Sequence, residues 1–315
     1  MELSPPPLLV IAGATGTGKT GLSIAVGRTL RNDGVAAEII SADSRQVYRG
    51  LDIGTAKATT AERGEVPHHG LDLVDPDAPF SVADFVRHAR DALGGIAARG
   101  GLAILVGGTG LYLRAVARGL DVDALPTDAA VRARIETELR EAGLDAAVTR
   151  LTALAPALAA SIDRRNPRRV ARALEIAELA GDRPRPPVRG YPAPIAWLGL
   201  EVEPDTHRQW LGNRARAQFE AGLIDEARTL RDRFDPALPA FSAIGYREAW
   251  AVLDGEVSVD EAIERDAQRN VAFARRQRTW FRSEPAIRWL RAEMGEGRLL
   301  EPALGTARGL LAGRD

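Results

Sequence analysis

The chain is 315 residues long, 45% hydrophobic, with a formal charge of −1 and no cysteine. That length buries a full core and suggests two compact units, while the missing cysteines exclude disulfides, thiol catalysis and thiolate zinc sites. No apolar run approaches a membrane span, and the N-terminus, Met1-Glu2-Leu3-Ser4 followed by three prolines, lacks the regions of a signal peptide. A cytoplasmic protein with no membrane partner is expected.

The first element is the apolar run Leu8 to Ala12, a strand that leads into Gly13-Ala14-Thr15-Gly16-Thr17-Gly18-Lys19-Thr20 and then a helix-like stretch. This is a P-loop in strand–loop–helix context. Backbone N–H groups and the helix N-terminus attract phosphate oxygens, Lys19 meets the terminal phosphates, and the Thr20 hydroxyl is a Mg²⁺ ligand. It is not the dinucleotide fingerprint, because Thr15 stands where that pattern needs its second glycine. Of 42 basic residues only Lys19 and Lys57 are lysines. A compact ammonium fits inside the loop where a planar guanidinium is too wide; Lys57, in Asp52-Ile53-Gly54-Thr55-Ala56-Lys57, is either a second specific feature or an ordinary surface lysine.

Ala37 to Ser41 is the second strand and delivers Asp43 to its carboxyl end. Leu102 to Val106 is a third and runs into Gly107-Gly108-Thr109-Gly110, whose small residues permit close approach by a substrate. Such apolar runs separated by helical stretches mean a parallel sheet buried on both faces. Ligands bind outside the carboxyl ends of those strands, so the P-loop, Asp43 and Thr109 should share a crevice. From about Leu120 the texture changes: residues 128–181 are helix-periodic and rich in Ala, Leu and Arg, ending at the breaker Gly181 to Pro187. Ile195 to Leu200 reads as a strand again. The fold class is therefore α/β, a P-loop parallel-sheet core over 1–120 and 195–315 interrupted by a helical insertion at 121–194.

Two arginine clusters stand out, Arg164 to Arg172 and Arg265 to Arg282. In a neutral chain these are either footprints for a polyanion or solvated helix faces paired to neighbouring acids. His68, His69, His88 and His207 show no metal-ligand spacing and read as structural or surface residues. An Asp at the phosphate site binds Mg²⁺ or acts as a base toward an acceptor. A small-molecule kinase satisfies this, and so does a transferase that holds a diphosphate leaving group.

Several blocks taken in order are more specific than the P-loop alone: GATGTGKT at 13–20, SADSRQVY at 41–48, DIGTAK at 52–57, PHH at 67–69, LVGGTGLY at 105–112, RRVARALE at 168–175, AIGYRE at 243–248 and RRQRTWFR at 275–282. Together they resemble the tRNA dimethylallyltransferase family. The resemblance implies a nucleoside-kinase-like core with an inserted helical domain and a Mg²⁺-dependent monomeric enzyme. Its expected activity is transfer of a dimethylallyl group from dimethylallyl diphosphate to the exocyclic amine of the adenosine 3′ of the anticodon, position 37, in tRNAs reading UNN codons.

Carried over residue by residue, Gly13 to Thr20 would hold the diphosphate and Asp43 would be the general base. Thr109 would contact substrate, and Arg214 would help bind the diphosphate. Contacts to the tRNA anticodon stem-loop would come from Asp43, Ser44, Arg45, Gln46, Thr109 and Arg132, and from Arg168, Arg169 and Arg172. Gly245, Tyr246 and Arg247 would add to them, with Arg275, Arg276, Gln277, Arg278, Trp280 and Arg282. Three positions depart from the pattern: Ala14 for proline, Trp210 for an arginine, and Phe80 for tyrosine. A kinase, a non-catalytic RNA-binding NTPase and a relative that prenylates free adenine nucleotides are the alternatives; the basic C-terminal run argues against the first and last.

Overall fold

The computed structural model describes residues 4–122, 124–183 and 188–313. Two compact units divide the chain, one formed by 1–118 with 190–315 and the other by 119–189. The second unit begins and ends a few residues before the 121–194 segment read from the sequence. Part of the expected breaker, Pro184 to Pro187, lies outside the described residues.

The larger unit is built on six strands: β1 (Leu8–Gly13), β2 (Ala37–Ser41), β3 (His68–His69), β4 (Leu102–Gly107), β5 (Ile195–Glu201) and β6 (Ile287–Arg291). They form one sheet in the order β3-β2-β4-β1-β5-β6, and every neighbouring pair is parallel. Each residue of β1, β2 and β4 is buried, as continuous apolar runs require when helices cover both faces. The four strands expected from the sequence form at those places. Two edge strands were not expected: β3 is two residues long, and in β6 Arg288 and Arg291 interrupt the apolar residues.

Helices of this unit are α1 (Lys19–Asn32), α2 (Thr60–Glu65), α3 (Val82–Ala98) and α4 (Gly110–Ala117), and after the second unit α8 (Pro204–Glu220), α9 (Leu223–Arg231), α10 (Tyr246–Leu253), α11 (Val259–Arg282) and α12 (Glu296–Ala312). Ser81 caps α3 by accepting from Asp84 N, and Thr59 caps α2 in the same way from Glu62 N, which satisfies helix N–H groups that otherwise lack partners. Leu9, Ile11, Leu22, Ile104, Leu198 and Leu304 belong to the main core cluster.

The smaller unit holds α5 (Ala129–Leu154), α6 (Pro156–Ala160) and α7 (Pro167–Ala180). Gly143, at φ 83°, breaks α5 into two segments. Asn166 caps α7 by accepting from Arg168 N and Arg169 N, with Pro167 at the first helical position, the placement that best suits its missing N–H. Leu151, Leu158, Val170 and Leu174 form a separate core.

Candidate active site

β1 delivers the loop at its carboxyl end, and Gly18, at φ 84°, turns the chain into α1. Only glycine adopts that backbone without strain. Among the described residues the backbone N–H groups of Gly16, Thr17, Gly18, Lys19 and Thr20 have no partner, and they lie at a helix N-terminus, where an anion is stabilised by dipole and donors together. The cradle is narrower than the sequence suggested. Gly13 and Ala14 are buried, and the Ala14 carbonyl already accepts from Thr17 Oγ1 at 2.9 Å and Lys19 Nζ at 2.5 Å. The Thr15 N–H donates to Gln277 Oε1 at 2.8 Å.

Thr15 is held on three sides. Besides Gln277, its carbonyl meets His207 Nε2 at 2.8 Å and its hydroxyl accepts from Arg214 Nη1 at 3.0 Å. Sequence reasoning assigned His207 no role in the site; the link spans 192 residues and leaves no local signal.

A crevice of about 400 Å³ opens beside the loop, lined by Lys19, Thr20, Asp43, Arg214 and Gln277, with Ile39, Leu71 and Val106 among its apolar walls. Burial and the nearby Arg214 pull the Lys19 ammonium down to about 7, against a smaller opposing effect of Asp43. Burial likewise lowers Arg214, against the attraction of Asp266 and Asp43. Arg214 Nε is buried with no partner among the described residues. Two cations that disfavour one another, an orphaned donor and five free N–H groups call for a multiply charged anion.

Asp43 lies at the end of β2 on the same crevice. One carboxylate oxygen accepts from Arg45 N at 2.8 Å and Gln46 N at 3.4 Å, which fixes the group while its other oxygen accepts no hydrogen bond among the described residues. Thr109, the N-terminal cap residue of α4, does not line the crevice as expected. Its hydroxyl accepts from Ser44 N at 3.0 Å and so braces the Asp43 turn.

The glycines around Thr109 do not leave room for a substrate. A Cβ on Gly108 would stand 2.4 Å from Gln277 Nε2, and one on Gly110 would stand 2.4 Å from the Trp280 ring. The close approach is made by α11. Gln277, expected at tRNA, donates to Gly108 O at 2.9 Å and ties this loop to the P-loop. Gln46 is also engaged internally, accepting from Ser41 Oγ and donating to Thr55 O and Ala56 O.

Gly245 and Tyr246 are corrected from surface to interior: Gly245 is buried and Tyr246 is 0% exposed. The Tyr246 hydroxyl donates to Glu226 at 2.8 Å, and the same carboxylate accepts the N–H groups of Asp52, Ile53 and Gly54. The 243–248 block therefore anchors the 52–57 block, and only Arg247 of its three expected contacts is exposed. Lys57 is no surface lysine. Its side chain is 1% exposed, with Nζ 2.6 Å from both Asp52 and Asp72 and 2.9 Å from Tyr48 O.

In the smaller unit, Arg132 and Arg172 grip Glu175, whose side chain is 0% exposed, and Arg172 also donates to Pro126 O. A buried carboxylate needs such partners, so these two expected tRNA contacts are structural. Arg168 and Arg169 are exposed and form no ion pair among the described residues. In the larger unit the same holds for Arg275, Arg276 and Arg282. Arg278 and Arg282 line a second hollow of about 380 Å³ with His207, Trp289 and Glu293. Trp280 is partly covered, with the Arg114 guanidinium 4.4 Å from its ring. Trp210, where an arginine was expected, packs against the main core instead.

Among the described residues no group of His, Cys, Asp and Glu could cage a metal ion, and no helix is long and apolar enough to cross a membrane.

Residues 46–284 match the family model described as IPP transferase. The tRNA dimethylallyltransferase of Anaeromyxobacter sp. (strain K) is 45% identical over 304 residues, covering 94% of this chain and 97% of the relative. That of Thermus thermophilus is 42% identical, covering 88% and 89%. Among solved structures, the full-length tRNA isopentenylpyrophosphate transferase from Bacillus halodurans superposes with a TM-score of 0.71 at 37% identity, covering 98% of this chain and 97% of its own. A eukaryotic dimethylallyltransferase acting on tRNA gives 0.72 at 25% identity, covering 91% and 74%. With the P-loop core, the helical insertion and agreement at this level along nearly its whole length, the chain belongs to the IPP transferase family.

Proposed function

We propose that this protein transfers a dimethylallyl group from dimethylallyl diphosphate to the exocyclic amine of the adenosine 3′ of the anticodon, position 37, in tRNAs reading UNN codons. The observation that carries the reading is the pairing in one crevice of an anion cradle, Lys19 and Arg214 around free N–H groups, with a fixed carboxylate, Asp43. The cradle takes the diphosphate. As the C1–O bond breaks and charge builds on the departing oxygen, Lys19, Arg214 and the α1 N-terminus stabilise it. The amine attacks C1, and Asp43 accepts its proton.

The residues suit a Mg²⁺ carried in by the diphosphate rather than one caged by protein. Thr20 is exposed on the crevice and would contribute its hydroxyl, and no acidic cluster competes. When bound, the ion adds positive charge at the leaving group. Arg168, Arg169, Arg247, Arg275, Arg276, Arg278 and Arg282 supply the phosphate contacts, and the target base is extruded from the anticodon loop to reach Asp43. The protein acts as a monomer.

Mass analysis of nucleosides from a tRNA pool incubated with protein, Mg²⁺ and dimethylallyl diphosphate tests this. A dimethylallyl adduct on adenosine is expected; unmodified adenosine throughout would refute it.

A further inference from the structure

Besides Arg214 Nε, one more buried polar atom among the residues lining the crevice has no partner among the described residues, on His68. His68 lies on β3 in register with Ile39 of β2, and its ring lines the crevice together with Ile39, Ala58, Leu71 and Val106. Its Nδ1 is 2.7 Å from the carbonyl of Val66. A carbonyl only accepts, so Nδ1 carries the hydrogen and Nε2 presents a lone pair. That Nε2 is buried and has no partner among the described residues. Burial lowers the proton affinity of the ring, against the Val66 carbonyl and Glu62 of α2, which raise it; Arg63 of the same helix and neighbouring His69 lower it further.

The sheet gives the distance. The P-loop strand β1 and His68's strand are separated by β4 and β2, three spacings of ~4.8 Å, or about 14 Å. An extended five-carbon allylic diphosphate, with a hydrogen bond at each end, spans such a gap. Its diphosphate rests on the cradle and its tail runs over Val106 and Ile39 toward β3. A buried acceptor at the end of that path is costly against a plain methyl group and is satisfied by a hydroxyl.

We infer that His68 is a specificity-determining residue that accepts a hydrogen bond from a hydroxyl on the distal carbon of the prenyl donor, so that the protein also transfers a hydroxylated five-carbon allylic group. This rests on the prenyl-transfer reading above. The bond changes are the same for both donors: C1–O breaks with its electron pair on diphosphate, N–C1 forms, and the amine proton goes to Asp43. The hydroxyl is a spectator.

The test compares dimethylallyl diphosphate with its terminally hydroxylated analogue, using full-length protein, Mg²⁺ and a tRNA anticodon stem-loop, and reads the ratio of kcat/KM for the two donors. His68→Asn keeps a donor for Val66 O but removes the distal acceptor, and should lower the ratio for the hydroxylated donor by about tenfold. His68→Gln restores an acceptor at the distal position and should stay within about threefold of wild type. An unchanged ratio in His68→Asn, or an equal loss in both variants, overturns the inference. So does wild-type protein that transfers dimethylallyl and rejects the hydroxylated donor, a result that needs neither variant to fold. Wild-type protein that transfers neither overturns the underlying reading and this inference with it.

Discussion

Lys19 should take up a proton when the donor binds. Its ammonium is displaced from an ordinary 10.5 to about 7 by burial first and Arg214 second. A displacement of that size corresponds to ~5 kcal/mol of differential interaction. In the free protein near pH 8 only about one tenth of the molecules carry the charge, whereas a bound diphosphate offsets both causes and restores it. Binding at pH 8 should therefore draw about 0.9 proton onto the protein, falling to about 0.1 at pH 6. Titration calorimetry in two buffers of different ionisation enthalpy reads that number directly. The same displacement weakens the free fold: the unfolded chain holds the Lys19 proton up to 10.5 and the folded chain only to about 7. The penalty is complete below pH 7 and is relieved as pH rises from 7 toward 10.5. Lys19→Met should accordingly leave the fold at pH 7 no less stable, by up to about 4 kcal/mol more stable, while donor binding collapses. No proton uptake at pH 8, or uptake that persists in Lys19→Met, would refute the electrostatic account of the cradle.

Asp43→Asn should bind donor and tRNA within a few-fold of wild type while single-turnover transfer slows by about 10² to 10⁴; a rate within threefold would remove Asp43 from the base role. Arg168→Ala with Arg169→Ala should weaken tRNA binding and flatten its log–log salt dependence by roughly one unit per lost contact. Arg172→Ala should act through stability, lowering the unfolding free energy of the smaller unit by about 1–3 kcal/mol because buried Glu175 loses one of its two cations and keeps Arg132, Thr127 and the Asp128 N–H; equal stability of Arg172→Ala and Arg168→Ala in denaturant titrations would contradict that division. Lys57→Met takes a buried cation away from Asp52 and Asp72, but both carboxylates are partly solvated and Asp72 keeps Arg63, so a loss of about 1–2 kcal/mol is expected in thermal unfolding; an unchanged melting temperature would show that Lys57 contributes nothing.

What could be read from the sequence was local. The P-loop is contiguous, so its glycines, Lys19 and Thr20 announce a phosphate site without knowledge of the fold. The central strands are apolar because both faces are covered, and that texture survives in one dimension. β3 escaped notice because two histidines carry no apolar pattern. β6 escaped because Arg288 and Arg291 break up its short apolar run. The errors among site residues share one cause, a partner distant in the chain. Tyr246 is buried against Glu226 and the 52–54 backbone, Gln277 bridges Thr15 and Gly108, and Arg132 and Arg172 close on Glu175. In each case the motif names a stretch of chain. It does not tell which members touch substrate and which hold the others in place. His207 is the converse, a lone histidine with no motif that nonetheless holds the P-loop carbonyl.

The central claim is that the cradle serves a diphosphate leaving group in transfer to RNA. Diphosphate release, followed continuously with purified protein and Mg²⁺, tests it most directly. Release should occur only when dimethylallyl diphosphate and tRNA are both present, in step with the prenylated adenosine formed. Steady hydrolysis of ATP without tRNA, or diphosphate release from the donor alone at the same rate, would contradict it.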